Sequence, residues 1–233
     1  MLIPYRDDNP RILFPYVTFS LIVLNILIFF YQQLLQPKEM IEFLLRFSAI
    51  PGLFLGDESI VQESWNFDFT KYPYHTLISS LFLHGGFLHI LSNLVYIYIF
   101  ADNVESILGH RDFILFYLGC GCFATISQIY MSNDLTVPII GASGAISGIM
   151  AGYMLKYPSA RIYCLLFMFI PIVLPSIFVV GFWFITQVIN GSISQFSLET
   201  GGGVAWFSHI GGFIAGTILM FVFSRGKFYW LKA

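Results

Sequence analysis

Six long apolar stretches limit this chain to folds that cross a lipid bilayer. A transmembrane helix needs about 20 consecutive, mainly apolar residues, and each stretch meets or approaches that length. The stretches cover residues 14–35, 84–103, 112–131, 141–155, 162–188 and 205–224. With 57% hydrophobic and 10% charged residues, the chain lies far outside the composition of soluble domains. We therefore predict an all-α, polytopic membrane protein built as a bundle of six transmembrane helices.

The bundle defines the predicted domain organisation. We divide the chain into a cytoplasmic N-terminal segment, a six-helix domain and a cytoplasmic C-terminal tail, at residues 1–13, 14–224 and 225–233. Because the first apolar stretch lacks a small-residue cleavage site, we interpret it as a retained anchor rather than a signal peptide.

Basic residues predict how the bundle is oriented. With a cytoplasmic N-terminus, the inside holds Arg6, Arg11, Arg111, Lys156, Arg161, Arg225, Lys227 and Lys232. The outside then holds only Lys38, Arg46 and Lys71. Positive charge favours the cytoplasmic side. We therefore expect both termini in the cytoplasm, with helices 2, 4 and 6 running from the outer face inward.

The first outer loop, about residues 36–83, is too long to be structureless in a compact domain. It contains amphipathic and aromatic pieces, and we expect it to lie partly in the outer interface. Its Trp65, Tyr72 and Tyr74 are suited to that region.

Other features exclude several classes of protein. The three cysteines, Cys120, Cys122 and Cys164, all fall within apolar stretches, so we expect no disulfide framework. A net charge of −2 predicts no nucleic-acid partner. The spans contain neither paired carboxylates nor a His-Glu-x-x-His motif, which excludes aspartyl and metal-dependent intramembrane proteases. We expect no metal and no cofactor.

Polar side chains within membrane spans are rare and are candidates for function. Those in this chain are His84, His89, Asn93, Ser143 and His209, all near the predicted outer ends of helices 2, 4 and 6. His89 and Asn93 are four residues apart and therefore share a helix face. We expect the five side chains to share one depth.

Helix 4 is unusually short. Residues 141–155 span about 22 Å, less than the hydrocarbon core of about 30 Å. With Lys156 at the inner side, the outer end, from Gly141 to Ser143, must stop within the bilayer. Free backbone N–H groups there must face protein or a water-filled cavity. The sequence therefore predicts a serine at a helix N-terminus in a wet pocket.

Glycines predict close contact between helices 4 and 6. Gly144, Gly148 and Gly152 follow small-x-x-x-small spacing, as do Gly212 and Gly216. If these faces pack, Ser143 and His209 lie at the same end of the contact. His209 could then accept the Ser143 proton while the hydroxyl attacks a carbonyl.

The oxyanion formed by that attack needs donors in place. Asn93, His89, the Ser143 N–H and the helix 4 N-terminus are candidates.

Taken singly, the glycines and polar residues of these spans have plainer interpretations. The glycines suit ordinary helix packing, His84 suits capping, Asn93 suits an interhelical hydrogen bond, and His89 and His209 suit a transport pathway.

Three motifs together resemble the rhomboid intramembrane serine proteases. His89 and Asn93 in "HGGFLHILSN" match the family's H-x-x-x-N, and Ser143 in "GASG" matches its G-x-S-G. In "SHIGGFIAG", His209 matches the family's A-H-x-x-G-x-x-x-G, followed by Gly212 and Gly216. The resemblance covers essentially all six spans.

The resemblance implies an endopeptidase with a Ser143–His209 dyad, oxyanion donors Asn93 and His89, and supporting roles for His84, Gly141, Gly144, Gly212 and Gly216. It implies single-span membrane proteins as substrates, cut near the outer face, and a bacterial inner-membrane location. Glu105 matches an acidic residue that the family often has at the inner end of helix 2.

The chain also departs from the family pattern. Ser208 replaces the usual Ala before the His, and the first outer loop lacks a common Trp-Arg pair. Ser147 occupies a position where several members have an aromatic ring that stacks on the His. We therefore expect another residue to position the His209 ring.

Two other functions compete with the protease. An inactive rhomboid-like binding protein would usually lack the Ser or the His, and both are present. A transporter or channel would show inverted repeats and broken helices in matching halves, which the sequence lacks.

We expect protease substrates to have helix-weakening residues and, by resemblance, a small residue before the cut. Helix 5, which we predict to be kinked at Pro171 and Pro175, is the candidate side gate.

Overall fold

The structure is a computed structural model that describes residues 2–10, 12–67, 73–196 and 203–224, with the side chain of residue 196 left out. The predictions for Arg11, Lys71, Tyr72, Arg225, Lys227, Lys232 and the segment 225–233 lie outside these residues.

Six helices form the bundle, and the mostly helical membrane architecture is confirmed. They are α1 (Tyr16–Leu34), α6 (Phe87–Leu108), α7 (His110–Met131), α8 (Ser143–Lys156), α9 (Ser176–Phe196) and α10 (Trp206–Phe223). Within the described residues, five of these helices are long and apolar enough to cross a membrane, and α8 is the exception.

Helix α8 is short and lies at the centre of the bundle. Its 14 residues are almost all buried, and it packs mainly against α10, α7 and α6. Its fully buried residues include Ala145, Ser147, Ile149, Ala151 and Tyr153. We call the end of the bundle where α8 begins the Ser143 end and the opposite end the Lys156 end.

The prediction of one span over residues 162–188 is wrong. Strands β2 (Arg161–Leu166) and β3 (Ile170–Pro175) form an antiparallel hairpin, and the helix begins only at Ser176. Pro171 and Pro175 lie in β3 and not in the helix. A helix interior needs the backbone N–H that proline lacks. The two prolines do not kink helix 5.

The N-terminal segment adds a third strand, β1 (Leu2–Asp7), which pairs antiparallel with β2. The sheet order is β1-β2-β3. Asp7 accepts hydrogen bonds from the Tyr153 hydroxyl (2.7 Å) and from Nδ2 of Asn103 (3.2 Å). These bonds join β1 to the final turns of α8 and α6.

The loop between α1 and α6 is structured, as predicted. It contains α2 (Pro37–Phe47), α3 (Pro51–Leu55), α4 (Glu58–Trp65), α5 (Thr76–Ser79) and two short 3₁₀ turns at 73–75 and 80–82. Ala49 pairs with Ile139 in an isolated bridge, and Nε1 of Trp65 donates to the Thr136 carbonyl. The loop therefore braces the segment that leads into α8.

Glu105 fixes the start of α1. It is fully buried in the last turns of α6, and its carboxylate accepts from the backbone N–H groups of Val17 (2.9 Å) and Thr18 (2.8 Å). Since no side chain of α1's own caps that helix, Glu105 supplies the negative charge that a helix N-terminus favours.

Candidate active site

Ser143 and His209 meet at one end of the bundle. Ser143 is the first residue of α8, and His209 is in the first turn of α10. The Oγ of Ser143 lies 2.8 Å from Nε2 of His209, which is hydrogen-bond distance. The His209 side chain is buried, whereas Ser143 is partly accessible. A serine hydroxyl and an imidazole in this arrangement can act as nucleophile and base.

Glycines bring the two helices together, as their spacing predicts. A Cβ built on Gly212 would lie 1.9 Å from the Gly144 carbonyl oxygen, and one on Gly216 would lie 2.3 Å from that of Gly148. Both contacts are far too short for a real side chain. The backbones of α8 and α10 therefore touch, and this contact places Ser143 beside His209.

A turn at Gly141 aims the start of α8. Gly141 has φ of +118°, which L side chains rarely adopt, and its N–H donates to the Ser80 carbonyl at 2.9 Å. Helix α8 has no side-chain N-cap. Its first N–H groups lack partners within the helix, which makes the N-terminus a site for negative charge.

His89 faces Ser143 across Gly141. A Cβ on Gly141 would lie 2.7 Å from Nε2 of His89 and 3.8 Å from the Ser143 Oγ. The Gly85 N–H donates to Nδ1 of His89 at 3.3 Å, so the ring proton belongs on Nε2. His89 therefore presents an N–H donor on the Ser143 side of its ring.

Asn93 lies one turn deeper in α6 and is 5% exposed. Among the described residues, its Nδ2 has no hydrogen-bond partner. A buried amide donor of this kind is able to bind a charge that develops nearby.

His84 connects the site to α1. Its backbone N–H donates to Oε1 of Gln32 (3.2 Å), and its carbonyl accepts from Nε2 of Gln32 (3.3 Å). Its ring lies edge-on to that of His89, with 5.1 Å between the centroids. This contact supports the position of His89.

One residue of the site was not predicted. Gln187 of α9 is buried, and its Oε1 lies 2.8 Å from Nδ1 of His209. Ser147 donates to the His209 backbone carbonyl, while Trp183 and Trp206 flank the ring at centroid distances of 5.6 and 6.3 Å. A glutamine within an apolar span is rare enough to have been a candidate. The predicted helix 5 began at residue 162, whereas α9 begins at Ser176, so the sequence did not indicate which way Gln187 faces.

Comparison with known proteins identifies the family. The Rhomboid domain model matches residues 72–226, about two-thirds of the chain and the whole of the candidate site. The chain belongs to the rhomboid family. It is a multi-pass integral membrane protein of that family.

Several rhomboids are similar in sequence. The Bacillus subtilis (strain 168) protein named "Putative rhomboid protease YdcA" is 30% identical over 131 residues, which cover 53% of this chain and 65% of that protein. The mitochondrial RHOMBOID-like protein 12 of Arabidopsis thaliana is 27% identical over 170 residues, covering 66% and 48%. The human mitochondrial presenilin-associated rhomboid-like protein is 29% identical over 89 residues, covering 37% and 23%. The chain thus spans less than two-thirds of the length of these relatives.

Proposed function

We propose that this rhomboid is an intramembrane serine endopeptidase. Rhomboids are generally intramembrane serine proteases, although some are inactive. The observation that supports activity here is the 2.8 Å contact between the Ser143 Oγ and the His209 Nε2. An inactive relative has no need to keep both groups in hydrogen-bond contact.

In the proposed reaction, the Ser143 Oγ attacks the carbonyl carbon of a peptide bond and its proton passes to Nε2 of His209. The negative charge on the carbonyl oxygen is stabilised by His89 Nε2–H, Asn93 Nδ2–H and the Ser143 backbone N–H. His209 then donates the proton to the leaving amine, and the C–N bond breaks. Water, deprotonated by His209, hydrolyses the acyl-enzyme and restores the Ser143 hydroxyl.

The substrates of this reaction would be single-span membrane proteins that enter from the lipid. Among the five long apolar helices in the described residues, α9 is the least buried, with 28% of an 18-residue apolar stretch inside the protein compared with 33% to 50% for the others. It therefore remains the candidate side gate, although without the proline kinks. We also propose that the Ser143 end faces outward from a bacterial inner membrane, with both termini in the cytoplasm.

Labelling with a fluorophosphonate, which reacts with activated serines, tests the function. We expect the wild-type protein and Ser192→Ala, which changes an exposed serine on α9, to be labelled. Ser143→Ala and His209→Ala should lose both labelling and cleavage of a membrane substrate. The double variant should be no worse than either single one, because the two groups act as a unit.

Substantial cleavage by Ser143→Ala would contradict the assignment. Absence of labelling in a folded wild-type protein would favour the inactive class of rhomboid.

A further inference from the structure

Gln187 makes a specific set of hydrogen bonds. Its Nε2 donates to the Trp183 carbonyl at 3.0 Å and to the Thr186 Oγ1 at 3.1 Å. A carbonyl oxygen only accepts, so the amide nitrogen must point toward Trp183. This leaves Oε1, which only accepts, toward Nδ1 of His209 at 2.8 Å.

The bond to Gln187 determines where His209 carries its proton. Since Oε1 accepts, Nδ1 of His209 must donate, and a neutral ring then has a lone pair on Nε2. That nitrogen faces the Ser143 Oγ. This is the tautomer that can remove the serine proton, whereas the other tautomer would direct an N–H at the hydroxyl.

We propose that Gln187 is a positioning residue that holds the His209 ring in its reactive tautomer and orientation. The proposal rests on the protease function proposed above. It adds a positioning residue to the expected Ser-His dyad, and a neutral amide then has the orienting role that Asn has beside the His of papain-like proteases. A neutral amide also avoids placing a carboxylate in an apolar span, which would be costly.

The location of Gln187 has a consequence for regulation of the site. Gln187 belongs to α9, whereas Ser143 and His209 belong to α8 and α10. Displacement of α9 toward lipid would therefore break the bond to Nδ1. The reactive tautomer would be favoured only when α9 is packed against the bundle.

Two substitutions test the role of Gln187. Met has a length similar to that of Gln but no acceptor oxygen. Gln187→Met should therefore lower both kcat and the rate of fluorophosphonate labelling by about 10²-fold, which is the effect of a misplaced catalytic group. KM should change little. Gln187→Glu restores an acceptor and should recover part of the rate. Because a carboxylate stabilises the imidazolium, it should also move the acid limb of the pH–rate profile to higher pH.

The matched control is Gln195→Met. Gln195 is a partly exposed glutamine on the same helix, and its Nε2 donates to the Met131 carbonyl. The control variant should retain the wild-type rate. If the wild type is labelled and Gln187→Met reacts at the same rate, the positioning role is wrong and the protease function stands. If Gln187→Met fails to fold, the pH profile of Gln187→Glu decides, and an unshifted profile overturns the role.

A separate observation concerns the tip of the β2–β3 hairpin. Phe167, Met168, Phe169 and Ile170 are 63%, 57%, 84% and 53% exposed. Phe167 and Met168 also have positive φ angles of 52° and 69°. Such turns favour Asn and Gly, because a left-handed conformation costs other residues about 1–2 kcal/mol each. Bulky apolar side chains at these positions indicate an apolar environment.

The direction of the hairpin agrees with that indication. Asp7 accepts a hydrogen bond from Asn103, near the end of α6. Tyr5 is two residues closer to the hairpin tip than Asp7. It lines a cavity of about 520 Å³ together with Tyr98, which lies nearer the middle of α6. The sheet thus runs beside α6 from its end toward its middle, and Leu2 pairs with Leu166 next to the tip.

We infer that this tip inserts among the acyl chains of the leaflet at the Lys156 end. The stretch 162–175 has no charged residue. From the tip, exposed apolar side chains continue along β3 at Ile170 and Val173 and reach Ile177 and Phe178 at the start of α9. The tip is therefore continuous with a surface that already faces lipid, and lipid is the occupant that this continuity selects.

Tryptophan quenching in lipid vesicles tests the insertion. We would reconstitute Phe169→Trp in phosphatidylcholine vesicles with brominated acyl chains. The fluorescence of the introduced tryptophan should be quenched as strongly as that of Ile177→Trp. Glu63→Trp, on an exposed face of α4, is the water-facing control, and wild-type fluorescence is subtracted throughout. Added fluorescence that resists bromine and responds to aqueous acrylamide, as in Glu63→Trp, would overturn the proposal.

Discussion

The His209 ring is held at both nitrogens, by the Ser143 hydroxyl at Nε2 and by the Gln187 amide at Nδ1, each at 2.8 Å. The ring Nε2–H of His89 and the side-chain amide of Asn93 both lie on α6. At the scale of single residues, the proposed active site therefore combines a candidate nucleophile, a candidate base held at both ring nitrogens, and several candidate donors for an oxyanion. None of these roles requires a carboxylate.

We expect Asn93→Ala to slow cleavage without abolishing it. It removes one of several oxyanion donors, and one such donor is typically worth about 10²–10³ in rate. His89→Ala should lose at least as much, because its Nε2–H also faces the site. Single-turnover rates with a fluorogenic membrane substrate measure the effect. A change in apparent affinity alone would indicate that these residues bind substrate.

Asp7 should make stability depend on pH. Burial raises the pKa of its carboxyl from 3.8 to about 6, the Tyr153 hydrogen bond opposes the rise, and nearby Asp102 adds to it. The folded protein therefore holds this proton more tightly than the unfolded chain. The stabilisation is complete below about pH 4 and is lost as pH rises through 6.

The Asp7→Asn variant keeps an acceptor for Tyr153 and removes the titration. Thermal unfolding in detergent from pH 4 to 7 should show a wild-type Tm that falls relative to that of Asp7→Asn. A constant difference in Tm across this range would show that Asp7 does not control the pH dependence.

At the scale of helices, the contact between α8 and α10 determines the site. Gly144 meets Gly212, and Gly148 meets Gly216, with backbone against backbone. The spacing of the glycines predicted this contact, because small residues four apart make one smooth helix face. Which face of α9 would join them could not be predicted, since the span of helix 5 was assigned from hydropathy alone.

Gly212→Val should abolish the proposed protease activity and lower the Tm of the protein. A branched side chain would force apart α8 and α10, and with them Ser143 and His209. Gly181→Val on α9 is the matched control, because a Cβ there meets nothing within 4 Å. We would measure fluorophosphonate labelling and Tm together. If Gly212→Val keeps full activity and stability, the close contact is not required.

At the scale of the whole molecule, the dyad lies near the Ser143 end of a bundle surrounded by lipid. Under the proposed function, a substrate helix would have to unwind there, because its carbonyls are already hydrogen-bonded and its turns shield them from Ser143. Exposed backbone groups cost several kcal/mol each in lipid. Gly and Pro lower that cost, since they weaken a helix by about 1 and 3 kcal/mol relative to Ala.

We therefore expect substrates with Gly or Pro beside the cut to be cleaved faster. Replacing those residues by Leu in a cleaved model substrate should reduce the initial rate, with an Ala replacement farther along the helix as control. Cleavage at the original rate and position would show that unwinding does not select the substrate.

The sequence by itself determined the membrane class, the helical bundle and the glycine contact between α8 and α10. These follow from local rules: hydropathy predicts membrane spans, and the spacing of small residues predicts which helix faces pack together. Only the tertiary structure showed that residues 162–175 form a hairpin. The hydropathy of this run suits a membrane helix, whereas its two prolines cannot donate the backbone hydrogen bonds of a helix interior. Pairing with the distant strand Leu2–Asp7 favours the hairpin. The partner of His209 depended on the same choice, since starting α9 at Ser176 sets the register that turns Gln187 toward the imidazole.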